Sequence, residues 1–214
     1  MTPPLRILCL GVAAALLLGA CADWFAAPNS EAAFRRWLAA DASRADSFAR
    51  FEAALQQSGV AGVVPDYQLW RVDRVDPRCA SGAFQTPPEA QWANIVATLR
   101  ILRDEVAPAL GSLEVVSAYR DAAFNACVGG AQRSAHLSFE ALDLMPVDRA
   151  VTRERLIATL CPIHAREGAH LNMGLGIYDG RRFHVDARRF RGWGLDHHAT
   201  TFPCVAPAST AQSG

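Results

Sequence analysis

The chain has 214 residues, 51% of them hydrophobic and 20% charged, with 21 arginines against 21 acids and no lysine. A balanced charge without a basic patch argues against a nucleic-acid partner. The missing lysine excludes a Ser–Lys pair, a Schiff-base lysine and a P-loop lysine. The length fits one domain with a proper core once a leader is set aside.

That leader is expected over residues 1–20. Arg6 precedes an apolar run, Ile7 to Leu18, of secretory-signal length and too short to span as a helix. It ends in Leu18-Gly19-Ala20-Cys21, which resembles a bacterial lipobox, in which Cys21 is lipidated and becomes the mature N-terminus. Ala22 favours outer-membrane sorting in a Gram-negative cell. The expected address is therefore the periplasmic side of the outer membrane, with a lipid anchor and residues 21–30 as tether.

Residues 31–90 read as an N-terminal helical region. Phe34, Trp37 and Leu38, then Phe48, Phe51 and Leu55, recur at helical spacing, in two helices broken near Asp41–Ser43. Gly59 stops the second. The alternation from Tyr67 to Val75 predicts a strand, and 78–88 a loop holding Cys79. Pro87 and Pro88 then open a long helix to about Val106 with Trp92, Ile95, Leu99 and Leu102 on one face.

Leu113–Tyr119 and Ala141–Met145 read as strands, and Thr152 caps a helix running to Gly168. Leu175–Tyr178, a turn at Asp179-Gly180 and Arg182–Asp186 form a hairpin. The fold class expected is α+β, a small antiparallel sheet flanked by helices behind an N-terminal helical extension. The main domain spans 91–204 and a disordered tail 205–214. Cys79, Cys127, Cys161 and Cys204 imply two disulfides in an exported chain. Three connectivities are possible, and Cys79–Cys127 with Cys161–Cys204 is preferred. A four-cysteine metal site is disfavoured because no close C-x-x-C pair exists.

The chemistry concentrates between Ser117 and Asp143. A carboxylate between Leu142 and Leu144 on a short apolar strand needs a partner, since burying an unpaired charge is costly. A metal shared with His136 would supply it. Adding His184, on a later strand, gives three nitrogen and oxygen ligands suited to zinc, with a fourth position left for water.

These residues also carry a family resemblance. Ser117, Tyr119 and Arg120, then Asn125, Val128, Gly129, Gly130, Ser134, His136, Ala141 and Asp143, then Gly174, Gly176, Tyr178, His184 and Asp186 together resemble the M15 zinc peptidases, in the branch ending in H-V-D. That family includes D-alanyl-D-alanine carboxypeptidases, and its relatives include murein endopeptidases. The resemblance implies a Zn2+ triad of His136, Asp143 and His184, with peptidoglycan peptides as substrate. It implies Arg120 as the oxyanion-stabilising cation and Ser134, Asn125 and Tyr119 near the substrate. One departure matters: many members place a carboxylate three residues before the last histidine as general base, where this chain has Arg181. Asp186, two residues after His184 and on the same strand face, is expected to serve as base or as the partner orienting that ring.

Two other function classes stand beside this one. A peptidoglycan-binding lipoprotein without turnover is favoured by Arg181. A structural zinc domain is disfavoured by the open fourth position. His164 and His170 fit capping or surface roles at a helix end, and His197 and His198 read as tail residues.

Overall fold

A computed structural model describes residues 27–72, 78–79 and 82–204. The expected leader, Cys21, most of the tether and the expected tail lie outside the described residues. Helices α1 (Glu31–Ala39) and α2 (Ala42–Gln57) open the described chain. Ser30 caps the first by accepting from Ala33 N at 3.2 Å, and Asp41 caps the second by accepting from Ser43 N at 2.9 Å. Gly59, at φ 69°, ends α2, and Val60 N donates back to Leu55 O while both side chains are buried.

The expected strand from Tyr67 is instead a 3-10 helix, Asp66–Trp70, and Val75 lies outside the described residues. The alternating pattern misled because Gln68, Leu69 and Trp70 are all buried, which no one-sided strand allows. The segment covers the free edge of the sheet with side chains. Gln68 Oε1 accepts from Val115 N at 2.8 Å, and Arg71 donates to Val115 O at 3.0 Å and to Glu114 at 2.8 Å. An edge strand is thereby closed without adding another strand.

The long helix expected after Pro88 starts as a 3-10 turn, Glu89–Asn94. It continues as α3 (Ile95–Ile101), a π turn (Leu102–Val106) and α4 (Ala107–Leu110). Short α5 (Ala122–Cys127) and α6 (Arg153–Glu167) complete the helices. The strands are β1 (Leu113–Ser117), β2 (Ala141–Pro146), β3 (Gly174–Ile177), β4 (Phe183–Asp186) and β5 (Arg191–Trp193), in the order β1-β2-β4-β3-β5. Four pair antiparallel as expected. The fifth, unforeseen, lies parallel to β3. Its three residues, Arg191, Gly192 and Trp193, offer no period to read.

The two sheet faces differ sharply. Leu142, Leu144, Phe183, Val185, Leu175 and Ile177 fill the core face, against α3. The other face carries a row in register across all five strands: Ser117, Asp143, His184, Gly176 and Trp193. Ser117 joins that row through an irregularity between Val115 and Ser117. Val115 still pairs with Leu144 on the core side, whereas Ser117 pairs with Asp143. Disulfides Cys79–Cys127 and Cys161–Cys204 tie α5 to the 78–79 segment and α6 to the last described residue.

Candidate metal centre

His136 arrives on a one-turn 3-10 helix, Ala135–Ser138, between β1 and β2. Ser134 caps that turn, its Oγ accepting from His136 N at 3.3 Å. Phe139 ends it with a left-handed backbone, φ 55°, rare for a bulky residue. Its fully buried ring is held by Phe51 of α2 at 5.9 Å and Tyr119 at 6.3 Å. Helix α2 thus clamps the turn that presents the first histidine.

His136 Nδ1 donates to Ala118 O at 2.5 Å, so Nε2 carries the lone pair. That Nε2 is buried without a hydrogen-bond partner, 3.4 Å from Asp143 Oδ1. Across the sheet, His184 Nε2 donates to Asp186 Oδ2 at 2.8 Å, which turns Nδ1 toward Asp143 Oδ1 at 3.2 Å. Two imidazole nitrogens and one carboxylate oxygen therefore converge, all within 4.8 Å of one another. Three electron pairs facing one point need a cation between them. Burial together with the Arg120 charge holds His136 down at about 4, leaving it neutral and ready to ligate. Burial depresses His184 too, but Asp143 and Asp186 outweigh it and raise its affinity for a proton, the other cation available there. The donor set fits zinc.

The remaining atoms of the cluster are committed. Asp143 Oδ2 accepts from Arg120 at 2.5 Å and Arg182 at 2.6 Å. Burial pushes this carboxyl up, yet the two histidines and Arg120 hold it well below the usual range. Asp186 is fully buried behind His184, takes Arg191 at 2.6 and 2.9 Å, and accepts from Arg188 N at 3.0 Å. Burial opposes its ionisation, but His184 and Arg191 lower it to about 2. Gly174 and Gly176 supply the room: a Cβ on the first would collide with Asp186 and Arg191, and on the second with the Trp193 indole. Trp193 lies 4.9 Å from the His184 ring.

A two-lobed cleft opens above the cluster. One lobe, of about 680 Å³, reaches His136 and His184, and the other, of about 620 Å³, reaches Asp143 and Arg182. Arg120, Tyr178 and His197 stand between them and line both. The model of the Peptidase M15 family matches residues 74–186, just over half of the chain. The chain belongs to the M15 peptidase family. No curated protein and no solved structure matches it. M15 membership makes it a metallopeptidase of a typically zinc-dependent family, with His136, Asp143 and His184 as the candidate metal group.

Within this M15 domain Arg120 and Ser134 line the cleft, but Asn125 and Tyr119 do not. Asn125 is buried, donates to Ala131 O at 3.0 Å and packs where a Cβ on Gly130 would sit, so it shapes the glycine loop. Arg181 turns away to the carbonyls of Pro146 and Asp148, at 3.1 and 2.9 Å. Among the described residues, the carboxylate that faces the second lobe, besides Asp143, is exposed Asp179. Buried His164 bonds to Met173 O and Arg191 O beneath β5.

Arg182, Tyr178, Trp193 and His197 also line the cleft; of these only Tyr178 stood in the family motif, without a role, and His197, expected in the tail, packs 5.4 Å from Tyr178. The first was legible: Arg182, just before β4, keeps the alternation of His184 and Asp186. The last two were not, because they lie on a strand and loop brought beside β3 by parallel pairing and the Cys161–Cys204 bridge.

Proposed function

We propose that this protein is a zinc-dependent peptidase of the bacterial cell envelope that hydrolyses peptidoglycan peptides, at D-Ala-D-Ala or at a cross-link. The observation that carries it is the convergence of His136 Nε2, Asp143 Oδ1 and His184 Nδ1 beneath an open cleft with Arg120 at its centre. Zinc, when bound, supplies Lewis acidity toward water and the scissile carbonyl. Arg120 places a guanidinium, 12% exposed, where negative charge develops on that carbonyl oxygen. Its second task is holding Asp143 Oδ2 with Arg182, so that Oδ1 faces inward.

Asp186 acts as the partner that fixes the His184 tautomer rather than as base. Its oxygens are spent on His184, Arg191 and Arg188 N, and none faces the cleft. Asp179 is the candidate for proton transfer from the cleft side. Two disulfides support export, and the Cys21 motif supports a lipid anchor. Changing Cys21→Ser would then move the protein out of the membrane fraction, whereas retention there would sink the anchor.

The departure at Arg181 favours a second reading, a peptidoglycan-binding lipoprotein without turnover. Digestion of purified muropeptides with zinc-loaded protein separates the two. New product masses support the peptidase; zinc bound and muropeptide retained but uncut establishes the binding protein.

A further inference from the structure

The two lobes of the cleft are chemically unlike. The lobe over His136 and His184 is lined by Arg120, Arg133, Arg189 and Arg191, and among the described residues no carboxylate lines it. Two of these cations are already used, Arg120 on Asp143 and Arg191 on Asp186. Arg133 and Arg189 are exposed and have no acidic partner among the described residues. Their positions are built. Arg188 donates to Arg133 O at 3.1 Å and reaches Glu140 at 3.6 Å, which staples the 131–134 loop to the segment after β4. The bond sets Arg133 and Arg189 on walls of one lobe. The opposite lobe also carries arginines, Arg78, Arg120 and Arg182, but sets Asp143 and Asp179 among them, beside Phe124 and the exposed aliphatic rim of Val128 and Leu195.

A solvated arginine face needs no explanation on a convex surface. Two unpaired guanidiniums inside a concave lobe, without a neutralising acid, raise the local concentration of anions and give a carboxylate a planar donor. We propose that the Arg133–Arg189 lobe is an anion subsite that seats a free carboxylate of the peptide substrate beside the metal group. The proposal rests on the peptidase reading only for the ligand being a peptide. The carboxylate can belong to the peptide's C-terminus or to a side chain.

Three dansylated D-alanyl peptides distinguish the sources: a C-terminal acid, its C-terminal amide, and that amide carrying one D-glutamate. Fluorescence titration of the zinc-loaded protein should show one acid peptide binding roughly 5- to 20-fold more tightly than the neutral amide, an advantage that shrinks with salt. Preference for the first acid assigns the C-terminal carboxylate, and for the third peptide the side-chain carboxylate. In the double variant Arg133→Gln/Arg189→Gln the advantage should vanish while affinity for the neutral amide and zinc content stay as in wild type. Equal binding of all three peptides by wild type, no binding of any, or an advantage that survives in the double variant overturns the subsite. Cleavage is scored separately: an acid preference without any product sinks the peptidase reading and leaves the subsite standing.

Discussion

The N-terminal aromatic layer and the polar face of the sheet handle burial in opposite ways. Phe34, Phe48, Phe51 and Trp70 meet with ring centroids 4.8 to 6.3 Å apart, largely edge to face, and each contact adds to the hydrophobic gain. On the polar face His136, Asp143, His184 and Asp186 are nearly or fully out of water, an arrangement that costs stability unless every charge is matched. Arg120, Arg182 and Arg191 match the carboxylates, and the three inward electron pairs are left for a cation. The first region supplies stability, and the second uses burial to hold three electron pairs toward one point. Phe139 joins them, since its ring belongs to the aromatic layer and its left-handed backbone ends the His136 turn.

The comparison breaks most visibly at the ligands. His136→Ala or His184→Ala should lower zinc from about one per chain to a small fraction and abolish cleavage, with the fold retained. Metal analysis and circular dichroism check this; full zinc retention in both variants removes the site. In the other region, Phe51→Ala should lower unfolding free energy by roughly 3–5 kcal/mol, the cost of emptying a large core site. The protein still folded at low temperature should hold its zinc. Loss of zinc at unchanged stability would show instead that the aromatic layer serves the site alone.

Smaller effects sharpen the division inside the polar face. Arg120→Ala should reduce turnover on the order of 10²–10³-fold by losing charge stabilisation at the carbonyl oxygen, with zinc retained at saturating metal because Arg182 still holds Asp143 Oδ2. Asp186→Asn should weaken zinc binding on the order of 10–100-fold, with turnover restored by excess zinc. A fall in turnover of roughly 10²–10⁴-fold at full zinc occupancy would make Asp186 the base after all.

The smallest effect concerns His164, which burial holds below the ordinary histidine pKa although two carbonyls accept its proton. A histidine kept neutral in the fold contributes stability that is full above the unfolded pKa of about 6.5 and lost as pH falls below it. Melting of wild type should therefore drop more between pH 7.5 and 5.5 than that of His164→Gln. Parallel curves would mean that His164 does not titrate in that window.

The sequence by itself determined the helical breaks, the hairpin and the candidate ligands, because each rests on local chemistry. Asp41 and Gly59 punctuate α2 through caps made within a few residues, and Asp143 between two leucines demands a partner wherever its strand lies. The 3-10 turn at Asp66–Trp70 was hidden because burial on every side imitates alternation, and only its bonds to β1 explain it. Which atoms of the ligands converge, and that Asp186 lies behind His184, was decided by strand register and by the space left at Gly174. The cleft's far wall, with Trp193, His197 and Arg189, depended on a parallel strand pairing and a disulfide between residues 43 positions apart. Contacts of that range leave no period in the sequence, since what selects them is the packing of surfaces that exist only after the sheet has formed.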